Sequence, residues 1–226
     1  MKFGPTTACF ANFLLMAQMT INRVIHQAVR RDLERLGQAL GSATDGDTAR
    51  ARNLQRAYAN LCTQLVHHHR GEDEWIWPML SKVGVDQELL DAMESEHQSM
   101  AASLDETTAA MDAYAASGST LDARAARDSL MRTRAVVEQH FAHEEDELEP
   151  ALHPHTGTPE WKEVEKRFSR QPLSVAGPFF AWVTDGMTDE GRAFLRSTVP
   201  VPVTVVLGRV FGRRYHREIA PVWRSR

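Results

Sequence analysis

Cysteine is scarce in this chain of 226 residues: Cys9 and Cys62 lie far apart and without CxxC spacing. That argues against a disulfide framework and suits a reducing compartment, so the expected location is the cytoplasm. Long apolar runs are scarce too. The longest near the start, ACFANFLLMAQM (Ala8–Met19), is short for a spanning helix, contains Asn12 and Gln18, and follows Lys2 rather than a basic cluster. It reads as a helix start packed on the core rather than as a secretory signal, which would need a clear small-residue cleavage site. Net charge is small, −4 with a pI near 6.2, and gives no reason to expect nucleic acid as a partner of the whole molecule. Positive charge is concentrated only at the end, where Leu207–Arg226 holds six arginines against one glutamate.

What is present is an ordinary globular composition, 42% hydrophobic and 25% charged, enough for one well-cored domain and an appendage without staples. Four segments carry a helical period. Asn22, His26, Val29, Leu33, Leu36 and Leu40 share one face of the first, and GSATDGD ends it. Tyr58, Leu61, Leu65, His68, Glu72, Trp75 and Met79 form the stripe of the second, closed by SKVGVD. Leu90, Met93, His97, Met100, Leu104 and Met111 mark the third, before the turn ASGST. Leu130, Thr133, Val137, His140, Glu144 and Leu148 mark the fourth, which Pro150, Pro154 and Gly157 terminate. Short connections between helices of this length predict an all-α fold, an antiparallel up-down four-helix bundle over residues 1–155. Residues 156–226, divided by prolines, read as a C-terminal extension packed on or beside it. Within that extension VPVPVTVVLGRVF suits either a strand or a short apolar helix.

One phrase is written twice. HHRGEDEWIWP (68–78) and HFAHEEDELEP (140–150) both begin with His, carry Glu four residues later and end on Pro. A His and a Glu four apart project from the same helix face, and here that face is the one the period assigns to the core. Buried carboxylates need a compensating charge, and a metal supplies it. His26 and His97 fall on the inward stripes of the first and third helices. The candidate ligands are therefore His26, His68, Glu72, His97, His140 and Glu144, a nitrogen and oxygen set that suits one or two first-row ions, iron or manganese before zinc. By their offsets His69 and His143 turn away from the main stripe toward the periphery of the site, and His67 faces solvent. Glu94, one turn before His97, reads as a surface residue, with a role as replacement ligand as the alternative. Trp75 and Trp77 read as packing at the end of the bundle, and Tyr58 lies too far along its helix to reach the same centre.

The pattern H…HxxxE…H…HxxxE, with the tails EDEWIWP and EEDELEP, resembles the hemerythrin-like, or HHE cation-binding, family over roughly residues 20–155. The resemblance implies a four-helix bundle with a non-haem di-iron centre in which the four histidines are terminal ligands and Glu72 and Glu144 bridge the irons. Manganese or zinc is the lesser expectation. Two departures set the chain apart from oxygen carriers. Ala101 stands where they use a second third-helix His, and Glu144 follows His140 by four residues where they use an Asp after five. The implied function is binding of O₂, peroxide or nitric oxide at the di-iron site, with protection against oxidative stress and peroxide decomposition as its expected uses. The alternative is an iron- or oxygen-responsive regulatory module that signals through the extension. For the arginine-rich end, amphipathic in pattern, docking on Glu145, Asp146, Glu147 and Glu149 is favoured over contact with an anionic membrane.

Overall fold

The computed structural model describes residues 19–224, so all of the expected helix start Ala8–Met19 except Met19 lies outside the described residues. Every regular element among them is helical. Helix α1 spans Ile21–Gly41 and α2 spans Thr48–Gly71, the latter continuing through a π-turn, Glu72–Ile76, into Trp77–Lys82. Helix α3 spans Gln87–Ser117. Helix α4 spans Thr120–His143 and continues through a second π-turn, Glu144–Leu148, into Glu149–Leu152.

Each start is set by a side-chain oxygen that accepts from an otherwise unpaired backbone N–H: Thr20 from Arg23, Asp47 from Arg50, Asp86 from Glu88 and Ser119 from Asp122. A cap of this kind contributes about 1 kcal/mol. Gly118, at φ 67°, turns the chain out of α3 in the left-handed region that side chains avoid.

Helix α1 packs on α2 and α4, and α3 packs on the same two, which closes a ring of contacts around one interior. That interior has two apolar layers. The larger gathers Val29 and Leu33 of α1, Leu61 and Leu65 of α2, Met100 and Leu104 of α3, and Leu130 and Val137 of α4. The smaller gathers Ile76 and Leu80, Leu90 and Met93, and Leu148. In sequence, the histidines and glutamates of α2, α3 and α4 fall between these two layers on every helix. Water is kept from them on both sides.

The extension is helical throughout: α5 (Pro159–Ser169), α6 (Leu173–Thr184), α7 (Asp189–Thr198), α8 (Val201–Val206, continuing to Phe211), α9 (Arg213–Glu218) and a last 3₁₀ turn, Ala220–Trp223. The ambiguous valine-rich stretch is thus a helix. Helix α5 covers the smaller apolar layer with Val164 and Trp161. Of the rest, α6 docks on α1 around Asp32, a fully buried carboxylate, and α8 and α9 pack on α6. Trp182 Nε1 donates to Asp32 Oδ2 at 2.8 Å and Arg31 Nε to its other oxygen at 2.8 Å. Nearby, Arg35 lies 3.7 Å from Asp185, and Tyr215 donates to Asp185 at 2.8 Å. The expected docking of the arginine tail on the acids after His143 does not occur for Glu145 and Glu149, because Arg23 and Arg30 of α1 hold them.

Removing Asp32 leaves a buried indole N–H and a guanidinium without their acceptor. Asp32→Ala is expected to lower stability by about 3 kcal/mol, measured by chemical denaturation, and to expose α6 to protease while metal content stays unchanged.

Candidate metal centre

The repeated phrase acquires its reason in the backbone. Each π-turn begins on the Glu of HxxxE, and the N–H groups of Trp77 and Glu149 bond to the carbonyls of Glu72 and Glu144, five residues back. Pro78 and Pro150 come next. A proline has no N–H and crowds the carbonyl four residues before it; a widened turn accommodates both demands. The extra residue also shifts the stripe. Ile76 is buried where an uninterrupted period puts Trp75, which is half-buried and packs edge-on against Phe168 with ring centroids 4.8 Å apart.

The six candidate ligands converge into a closed ring. His26 Nε2 lies 3.1 Å from Glu144 Oε2 and 3.4 Å from His68 Nε2. His68 Nε2 lies 3.4 Å from Glu72 Oε1, and Glu72 Oε2 lies 3.7 Å from His97 Nε2. His97 Nε2 is 3.2 Å from His140 Nε2, which is 3.8 Å from Glu144 Oε2. Five of the six residues are at most 7% exposed, and the side chain of His68 is 8% exposed.

Carboxylates on the periphery fix the imidazole orientations. His26 Nδ1 pairs with Glu145 at 2.7 Å, His97 Nδ1 with Asp73 at 2.8 Å and His140 Nδ1 with Glu96 at 2.9 Å. An ionised carboxylate only accepts, so each Nδ1 carries the proton and turns its Nε2 inward. Glu96 also takes His143 Nδ1 at 2.8 Å, which gives His143 the peripheral place its offset predicts. Arg30 in turn holds Glu145 at 2.8 Å.

His69 differs from expectation. It is 7% exposed and stacks on His97, with centroids 4.1 Å apart and planes 18° apart. Donor atoms of His69, His97 and His140 lie within 4.8 Å of one another, as do those of His26, His68 and Glu144 and those of His68, His69 and Glu72. Its Nε2 is buried without a hydrogen-bond partner, a condition shared by Glu72 Oε2 and Glu144 Oε2. Ala101 and Glu94 are exposed, so neither position faces the cluster; a His at 101 would not point into this interior. His67 is exposed as expected. Tyr58 bonds the Leu104 carbonyl at 2.9 Å, within the larger apolar layer.

Electrostatics expose the strain of packing these groups together. Burial, reinforced by neighbouring Glu144, pushes the Glu72 carboxyl well above the usual range, so it keeps its proton. Burial also opposes ionisation of Glu144, but His26, His68 and His140 outweigh it and hold that carboxyl low. His26 is raised, because Glu144 and Glu145 overcome the burial that would lower it. Burial drives His68 down to about 3 and His69 well below the ordinary imidazole value, with the neighbouring histidines adding to both. The lowered imidazoles of His68 and His69 and the Glu144 carboxylate then aim lone pairs at one small volume.

A cation fits that volume. Adjacent donors on one first-row ion, each about 2.1 Å from it, stand about 3 Å apart, close to the shortest links in the ring. Three buried, unpartnered atoms point to the same need. The donor set of imidazole nitrogens and carboxylate oxygens suits iron, with manganese and zinc compatible.

The profile of the hemerythrin HHE cation binding domain matches residues 22–152, more than half of the chain. No curated protein and no solved structure matches the chain significantly. With a cluster able to hold metal at the middle of the matched region, the chain belongs to the hemerythrin HHE cation-binding domain family.

Proposed function

We infer that this protein is a non-haem di-iron protein, an antiparallel up-down four-helix bundle whose centre binds O₂, peroxide or nitric oxide and serves protection against oxidative stress. The observation that carries the reading is the closed ring of six buried donors with unpartnered oxygens on both glutamates. His26 and His68 would serve one iron, and His97 and His140 the other. Glu72 and Glu144 each lie between histidines of the two pairs, as bridging carboxylates must. His69, stacked on His97, would give the second iron a third imidazole, the one that Ala101 cannot supply. Iron held there supplies redox chemistry and open coordination positions for a small ligand. The residues around it hold their rings through Asp73, Glu96 and Glu145 and exclude water with the two apolar layers.

A second reading, regulation through the extension, has its own support. Gly71 lies between His69 and Glu72, and a Cβ there would sit 2.8 Å from the ring of Phe168 on α5. Any shift of α2 on metal binding would press on α5. Proteolysis of residues 161–224 that slows on iron loading favours the regulatory reading; proteolysis indifferent to iron favours ligand binding at the centre alone.

Two outcomes test the ligand roles. His68→Ala and Glu144→Ala should each lower bound iron by more than half, since each removes a direct donor and Glu144 also removes a bridge; His69→Ala should leave about one iron per chain. His67→Ala should change nothing. Full iron retention in the three ligand variants, by elemental analysis, would sink the assignment.

The second test uses pH. Glu72 and His26 both hold their protons more tightly than usual in the metal-free protein, and both must lose them to act as ligands. Metal uptake should therefore release protons, and apparent affinity should weaken as pH falls. Calorimetry in buffers of different ionisation enthalpy measures this directly. No proton release at neutral pH would contradict it.

A further inference from the structure

Helix α8 has an outer face that nothing among the described residues covers. Val201, Val203, Val205, Val206, Val210 and Phe211 are each 41–49% exposed. Its inner face is bound tightly to α6. Gly208 on α8 and Gly212 just after it meet Ala181 and Gly177 on α6, two pairs of small residues spaced four apart; a Cβ on Gly212 would lie 2.5 Å from that of Ala181, and the backbone of Phe211 lies against Gly177, leaving only its ring at the surface. Backbones that close leave no room to turn the valines inward. The exposed face is therefore a consequence of how the pair is built, not of loose packing. Small residues at this spacing are the device by which apolar helices pair when neither can gain from hiding its outer face from water.

Charge defines the rim. Arg196 ends α7, Arg209 lies within α8 and Arg213 follows it. All three are exposed and have no acidic partner among the described residues. Among the described residues Arg214 and Arg217 pair with Glu218, at 2.9 and 3.2 Å. Of the acids after His143 that could have drawn these arginines inward, Glu145 and Glu149 are engaged by Arg23 and Arg30. The patch itself is aliphatic, with one Phe and without Trp, Tyr or Met, the residues that anchor most protein interfaces. Its only hydroxyl, on Thr204, is turned back to the Val201 carbonyl at 2.9 Å. A surface with no polar contacts to offer and a basic edge matches a bilayer, where apolar side chains enter the acyl boundary and arginines remain at anionic headgroups.

We propose that α6 and α8 form a docking element by which the protein lies on an anionic membrane surface. No single helix among the described residues is long and apolar enough to cross a membrane, and the one pair that is apolar enough when taken together, α7 with Val201–Phe211, is bent by 113° rather than continuous. The 12 residues of α6 reach only about 18 Å, short of a hydrocarbon core of about 30 Å. The element therefore rests in the interface, with the metal-binding helices in water. This proposal stands independently of which metal the centre holds.

The test uses the full chain, loaded with iron, and co-sedimentation with vesicles of phosphatidylcholine alone or with added phosphatidylglycerol. Binding to the anionic vesicles, weakened by salt and absent or much reduced on phosphatidylcholine alone, is expected. The paired substitutions Val206→Glu with Val210→Glu, and Arg209→Glu with Arg213→Glu, lie on exposed positions and should each weaken binding about tenfold or more, with iron content and melting temperature unchanged. Failure of the intact protein to bind anionic vesicles would overturn the proposal, as would binding that neither pair of substitutions reduces or that ignores lipid charge. A concentration-dependent dimer lost in the Val206→Glu, Val210→Glu protein, without vesicle binding, would overturn it in favour of a contact between two copies.

Discussion

Six buried donor groups that repel or compete with one another in the absence of a cation are the constraint around which the rest of the structure is arranged. Burying even one ionised carboxylate without compensation costs several kcal/mol, and here Glu72 and Glu144 face each other across a ring of imidazoles. Part of that demand shows as a pull toward the protonated forms of Glu72 and His26, both raised above their ordinary values. The remainder is what a metal would satisfy. Apolar layers on either side keep the donors dry, so their attraction for a cation is not diluted by water.

Orientation is supplied from outside the ring. Asp73, Glu96 and Glu145 hold three imidazoles by Nδ1, and Arg23 and Arg30 hold Glu145. The acidic runs after each HxxxE, which resemble solvated faces, are thus partly committed to the centre. Glu145 also accounts for one departure from oxygen carriers. It stands five residues after His140, yet it pairs with His26 Nδ1 from the periphery while Glu144 points inward.

Much of this was legible in the sequence. The helical stripes named the buried residues of α1, α3 and α4, and the coincidence of two phrases with two phased histidines named the six converging groups. Pro150 was read as a terminator, whereas it, like Pro78, follows a π-turn, and the turn before Pro78 advances the stripe from Trp75 to Ile76. His69 was missed because a single period assigns each helix one inward line. A helix packed between two neighbours buries an arc wider than one residue step, so His68 meets α1 and the adjacent His69 meets α3. The HH doublet, in a chain with Ala101 where a second third-helix imidazole would stand, was the available signal. Asp32 gave none, since its partner Trp182 lies 150 residues away. The arginine tail was assigned to the acids after His143, but α1 reaches two of them, Glu145 and Glu149, first.

The centre itself can be located by anomalous diffraction from crystals of the iron-loaded protein, with data on either side of the iron absorption edge. Two iron peaks are expected, one against His26, His68 and Glu144 and the other against His69, His97 and His140. A single peak, or no peak within the ring while the helices remain folded, would contradict the reading of these residues as a two-iron site.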